Sequence, residues 1–163
     1  MKVKKIIISN KFFSNLFDKL FPINRSLLGE GYNESLKILN QYIGFKFLKF
    51  KSGTKVFDWV VPKEWLIKSA YILTPDKKKI CDMKKNNLHV MNYSIPINKK
   101  LNLTNLNKFL RSFKNLPSAV PYTTSYYKKN WGFCISHNEK EKLSRKGIYK
   151  VFFASTLKNG SLT

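Results

Sequence analysis

The sequence predicts an α+β fold in which a β-rich module is inserted into an α/β layer formed by the two ends of the chain. Three observations lead there. Two amphipathic helical patterns open the chain. A β-rich block then runs from about Trp59 to Ser144. A last strand, strongly apolar at Val151–Ala154, follows and has the composition of a strand covered on both faces. With 163 residues, 43% of them hydrophobic and 15% aromatic, the chain can bury a real core and is not disordered overall.

Apolar residues at 12, 13, 16, 17, 20 and 21 give Lys11–Phe21 helical spacing, and Pro22 stops the helix. The turn NRSLLGEGY (Asn24–Tyr32) has two glycines in three residues, which predicts at least one positive φ at Gly29 or Gly31. Asn33 is a plausible N-cap for a second helix through Tyr42, with Leu36, Ile38, Leu39 and Ile43 inward and Gly44 at its end. Strands are expected at Phe45–Phe50 and Val56–Val61, separated by a Ser52–Gly53 turn, with Pro62 breaking the pattern. Ser69–Thr74 and Lys79–Met83 read as strands joined by a Pro75–Asp76 turn. A further strand, Leu88–Tyr93, follows the loop Lys84–Asn87; pairing across that loop sets Met83 opposite Leu88 and Asp82 opposite His89. Thr104 can cap a helix that puts Leu106, Phe109, Leu110 and Phe113 on one face and ends before Pro117. Glu139–Arg145 is a charged helical turn closed by Gly147, and Ile148–Leu157 is the last strand.

The stretch VPYTTSYYKKNWGFCISHN (Val120–Asn138) concentrates aromatic, cysteine and histidine residues. It reads as a hairpin of Tyr122–Tyr127 and Trp131–Ser136 around a Lys128–Asn130 loop, with Gly132 marking a bulge or a close backbone approach. Its rings either fill a core or form the wall of a peptide- or sugar-binding surface. In the second reading Trp59, Trp65, His89, Tyr126, Tyr127 and Trp131 are the binding residues.

The formal net charge is +22. Of the 31 basic residues only Arg25, Arg111 and Arg145 are arginine, and the other 28 are lysine, spread in pairs and triplets rather than in one basic arm. Phosphate readers favour the bidentate guanidinium, so the charge argues for non-specific attraction to nucleic acid at low salt rather than dedicated binding. Two cysteines imply no disulfide framework, the apolar run Ile6–Ile8 is too short for a signal peptide, and no run reaches the length that spans a bilayer. These features fit a cytoplasmic chain without membrane partners.

Chemical motifs are sparse. Cys81, His89, Cys134 and His137 have poor spacing for zinc: strand parity sends Cys134 and His137 to opposite faces, and the hairpin pairing does the same to Cys81 and His89. Asp82 opposite His89 could orient an imidazole or form a cross-strand ion pair. Ser125 sits in no nucleophile elbow, and Gly29-Glu30-Gly31 lacks the preceding strand of a dinucleotide fingerprint. No catalytic or metal-ligating residue is assigned.

Six stretches together resemble one family: LFPINRSLLGEG (Leu20–Gly31), SGTKVFDWVVPKEW (Ser52–Trp65), NNLHVMNYSIP (Asn86–Pro96), VPYTTSYY (Val120–Tyr127), WGFCISHN (Trp131–Asn138) and NGSLT (Asn159–Thr163). They resemble the N-terminal portion of bacterial aminopeptidase-like zinc proteins, a family with a domain of formerly unknown function that is often associated with surface-polysaccharide loci. The resemblance implies an α/β zinc-exopeptidase-like core carrying an inserted β-rich domain, followed by a winged helix. It places the zinc ligands on a His- and Asp-containing segment after the Gly-Ser-Leu-Thr stretch, so no residue here inherits a ligand role.

The resulting expectations are specific. Residues 1–58 open an incomplete core, 59–146 form the inserted domain, and 147–163 return to the core. The chain is expected to be an inactive N-terminal fragment, with zinc and a peptide or sugar-linked substrate belonging to the full-length protein. Its partner is expected to be the missing C-terminal core or a second copy. Ile148–Leu157 is expected to pair only with the Phe45–Phe50 region or remain an exposed edge, and so to drive self-association.

Overall fold

In a computed structural model, which describes residues 9–126 and 128–163, the chain forms two compact units. The first comprises residues up to Trp65 together with Leu157–Thr163, and the second comprises Leu66–Thr156. The boundary falls within strand β4 (Glu64–Leu73) and within strand β9 (Tyr149–Lys158). The mixture of helices and strands is α+β, as predicted.

The first unit opens with helix α1 (Asn10–Leu20), capped by the Ser9 hydroxyl, which accepts from the Phe12 N–H at 3.2 Å. Helix α2 spans Glu30–Ile43 and starts before the predicted Asn33 cap. Gly29 at φ 116° makes the entry turn, so the helix needs no side-chain cap, and Gly44 in the left-handed region ends it as expected. The inward face is thinner than its periodicity suggests: only Ser35 of α2 is buried, and Ile43 is exposed.

The strand expected at Phe45–Phe50 contracts to β1 (Phe50–Lys51), which pairs antiparallel with β10 (Ser161–Leu162). The single strand expected at Val56–Val61 is instead a hairpin of β2 (Lys55–Val56) and β3 (Trp59–Val60). The chain reverses at Phe57, whose φ of 52° is left-handed, and a propensity count cannot see a turn built on phenylalanine. Ser52 holds the unit's ends together: its N–H donates to the Gly160 carbonyl at 2.9 Å and its hydroxyl to the Pro62 carbonyl at 2.7 Å.

The second unit is built on a four-stranded sheet in the order β5-β4-β9-β6, with β5 at Lys79–Ile80 and β6 at Ile97–Leu101. β4 and β5 pair across the predicted Pro75–Asp76 turn, Ile72 opposite Ile80. Strand β6 carries no apolar alternation strong enough to predict it, and it pairs along its whole length with β9, from Ile97 opposite Phe153 to Leu101 opposite Tyr149. The last strand is therefore interior to a sheet, paired with β4 on one edge and β6 on the other, and the expected exposed edge does not exist. Nor is it covered on both faces. Tyr149, Val151, Phe153 and Ser155 alternate inward, whereas Lys150 is exposed and Phe152 packs at 5.2 Å against Tyr71 on the outer side. The outer strand β6 presents Lys99 and Lys100, which discourage edge-to-edge pairing.

Irregular chain covers the inner face. The expected Leu88–Tyr93 strand begins as a short 3-10 turn, Asn87–His89, so the Met83–Leu88 and Asp82–His89 pairings do not form. The expected long helix after Thr104 is only α3 (Leu103–Leu106), capped by Asn102, followed by a 3-10 turn and strand β7 (Leu110–Arg111). β7 pairs parallel with β8 (Phe133–Cys134), and helix α4 spans His137–Glu141.

The aromatic stretch is not a hairpin. Its two halves bond to the segment Val90–Ile95 between them: Asn92 N–H donates to the Thr123 carbonyl, Ser125 N–H to the Asn92 carbonyl, Met91 N–H to the Gly132 carbonyl and Ile95 N–H to the Asn130 carbonyl. Ser94, fully buried, completes the tie by donating to the Met91 carbonyl and accepting from the Ser155 side chain through its own carbonyl. Gly132 is a close backbone approach, as predicted: a Cβ there would stand 3.0 Å from the Phe109 carbonyl oxygen.

Candidate functional site

Of the six residues expected to form a binding surface, five are among the described residues, and they divide between the two units. Trp59 and Trp65 belong to the first unit, and Trp65 is only 4% exposed. In the second unit Trp131 is 5% exposed, stacked on Phe109 at 3.9 Å and set edge-on to Phe153 at 6.3 Å. Both rings are core, because a large flat ring with apolar neighbours on each side gains more from burial than it could from a solvent-facing role. Tyr126 is half-buried against Tyr93 at 5.2 Å, edge to face. Tyr127 lies outside the described residues. His89 lines a cavity in the second unit.

That cavity, about 320 Å³, lies in the second unit between the β5 end, the turn before His89 and the start of α4. Cys81 forms part of its lining. Burial pushes the Cys81 thiol well up, helped by the negative charge of Glu139 and by Cys134. Cys134 is also raised by burial, partly offset by a hydrogen bond with the Thr123 hydroxyl and by Arg111. Neither thiol is a nucleophile at neutral pH.

The acidic side chains of the cavity are engaged. Asp82 accepts from the Lys84 N–H at 3.0 Å and has Lys79 at 3.7 Å, with Lys79 also over the Tyr71 ring. Glu139 accepts from the Ser136 hydroxyl at 2.6 Å, and Ser136 in turn accepts the Glu139 N–H, a reciprocal cap that starts α4. His89 Nδ1 is 2.8 Å from the Cys134 carbonyl oxygen. A carbonyl only accepts, so Nδ1 carries a hydrogen. His137 does not join this group; its Nδ1 meets the Ser112 hydroxyl and its Nε2 faces Glu141. Among the described residues no three His, Cys, Asp or Glu side chains are grouped to hold a metal ion. The sequence singled out Cys81, Asp82 and His89 for other roles. It gave no sign that Lys85 and Lys142, more than fifty positions apart, face the same space.

In the first unit three of the stretches that carry the family resemblance meet around one carboxylate. Glu64 is 8% exposed, with Lys158 at 4.0 Å. A Cβ at Gly29 would stand 3.0 Å from the Glu64 side chain, and one at Gly160 would collide with its carboxylate. LLGEG, KEW and NGSLT are thus packing partners here.

Comparison with known proteins places this architecture. The family model described as a domain of unknown function, DUF2172, matches residues 64–156, more than half of the chain and the whole second unit. The chain belongs to the DUF2172 family. A relative from Clostridium acetobutylicum, provisionally named a polysaccharide biosynthesis protein with an aminopeptidase-like domain, is 45% identical over 149 residues, which cover 91% of this chain and 34% of the relative. A crystal structure from the same organism, provisionally named a peptidase, superposes with a TM-score of 0.86 at 43% identity, covering 93% of this chain and 36% of that one. The DUF2172 chain therefore spans about a third of the length of the curated relative it matches. Both likenesses agree with the resemblance carried by the six stretches. Among the described residues no helix is long and apolar enough to cross a membrane.

Proposed function

We propose that this chain is the N-terminal portion of an aminopeptidase-like zinc protein acting in surface-polysaccharide biosynthesis, and that it is inactive by itself. In this reading the first unit starts a zinc-exopeptidase-like core, and the DUF2172 unit is the inserted β-rich domain. Zinc and a peptide or sugar-linked substrate belong to the remainder of that core.

The supporting observation is the apolar surface of the first unit. Among its described hydrophobic residues it buries only Leu28, Val61 and Trp65, while Phe13, Phe17, Ile43, Leu48 and Phe57 are each more than half exposed. The DUF2172 unit has the opposite balance, with five times as many buried hydrophobic residues among those described. A unit with so small an interior calls for further protein over its apolar residues.

The test compares this chain alone with the same chain fused to the remainder of the Clostridium acetobutylicum relative. Zinc content and hydrolysis of alanine p-nitroanilide are measured on both. The reading expects zinc and hydrolysis from the fusion only. Stoichiometric zinc and turnover by the chain alone would contradict it.

A further inference from the structure

We propose that the cavity of the DUF2172 unit binds a small acidic sugar, one that carries a carboxylate or a phosphate beside free hydroxyl groups. This site stands on the second unit alone and does not depend on the aminopeptidase-like reading.

The charged groups of the cavity divide into those that have partners and those that do not. Its two carboxylates do: Asp82 is held by the Lys84 N–H and by Lys79, and Glu139 by the Ser136 hydroxyl. Two of its cations do not. Among the described residues neither the Lys85 nor the Lys142 ammonium lies within ion-pair distance of a carboxylate. Both lysines are exposed at the rim of the cavity, where an ammonium without a carboxylate partner can supply a charge-assisted donor to an incoming oxyanion. His89 adds the opposite demand. Its Nδ1–H is spent on the Cys134 carbonyl, and in the neutral ring Nε2 is then the acceptor, suited to a hydroxyl that donates. Inorganic phosphate brings one or two P–OH hydrogens and no ring, whereas a sugar acid or sugar phosphate brings several hydroxyl groups and a C–H face. Ile80, Ile135 and Leu143 complete the lining with apolar surface of the kind that packs against the C–H face of a pyranose. The volume of about 320 Å³ sits at the small end of ligand pockets and admits a single ring rather than a polymer segment.

The experiment is titration calorimetry of the full chain in about 0.15 M salt, where general attraction to a strongly basic protein is screened. Glucuronate and glucose 6-phosphate are the two probes, with glucose and inorganic phosphate as comparisons. The double variant Lys85→Gln/Lys142→Gln is set against Lys108→Gln/Lys114→Gln, which removes the same charge from exposed positions that do not line the cavity. We expect saturable one-to-one binding of at least one acidic sugar, at least about tenfold weaker for either comparison compound. We expect the cavity variant to lose about tenfold or more in affinity, and the charge-matched variant to stay within about twofold. Which probe binds decides between carboxylate and phosphate. Equal losses in the two variants would assign binding to overall charge and overturn the site. So would the absence of saturable binding by either probe, and inorganic phosphate binding as tightly as both sugars would overturn the sugar assignment.

Discussion

Replacing Trp131 with alanine separates a core ring from a binding ring. Trp131 is 5% exposed, its indole stacks on Phe109 with an interplanar angle of 14°, and Phe153 from strand β9 closes the other side. Truncation removes most of a large apolar surface from the interior and leaves a cavity between Phe109, on a 3-10 turn, and Phe153, which the pairing of β9 holds in place. Losses of this kind run about 3–5 kcal/mol. The DUF2172 unit is a domain of ordinary size, for which a total stability of about 5–15 kcal/mol is usual, so the variant should lose a large share of it. At about 4–8 °C per kcal/mol, the melting transition should fall by more than about 12 °C. The assay is urea denaturation followed by far-UV circular dichroism, with amide exchange of the β9 strand as the local readout. Trp131→Phe, which keeps a ring on Phe109, should lose clearly less. A Trp131→Ala protein whose midpoint moves by less than about 0.5 kcal/mol would refute the core assignment and restore the aromatic-surface reading.

Three further outcomes follow from named contacts. Gly160→Ala should destabilise the first unit by about 1–3 kcal/mol, because its Cβ has to displace the buried Glu64 carboxylate; adding Glu64→Ala should recover part of that loss in a thermal melt of the double variant. Cys81 and Cys134 should resist a thiol reagent until the chain unfolds. Since burial raises both thiols, the folded state keeps protons that the unfolded state releases, so stability is fully present below about pH 9 and falls as pH rises beyond it, which a series of alkaline denaturation curves measures. Phe57→Asn should leave the isolated chain as stable or up to about 1 kcal/mol more stable, because asparagine tolerates the left-handed φ of 52° and Phe57 is fully exposed; a melt that drops by several degrees would contradict this.

Features governed by local chemistry were legible in the sequence. Helix α1 and its stop at Pro22, the β4–β5 turn, the positive φ near Gly29, the Gly44 helix end and the crowding at Gly132 each depend on a few adjacent residues. What was not legible depends on partners far along the chain. The Val120–Asn138 stretch has the alternation of a hairpin, yet Val90–Ile95 outcompetes self-pairing for its backbone groups. Strand β6 has three polar residues in five, and its register is set by β9, about fifty residues later. β9 looked like a strand buried on both faces because Phe152 and Ala154 are apolar; Phe152 packs instead on Tyr71 of the outer face. The cavity follows the same rule. Asp82 and His89 were noticed, but as a cross-strand pair, and the facing of Lys85 and Lys142 is a property of the folded unit only.

We propose that further aminopeptidase-like sequence covers the first unit, whereas the DUF2172 unit folds without it. Amide hydrogen exchange, compared between this chain alone and its fusion to the remainder of the Clostridium acetobutylicum relative, tests it most directly. The account predicts that α1, α2 and the β2–β3 hairpin exchange freely in the chain alone and gain strong protection in the fusion, while β4, β6 and β9 within Leu66–Thr156 are equally protected in both. Equal protection of the first unit in the two proteins would contradict it.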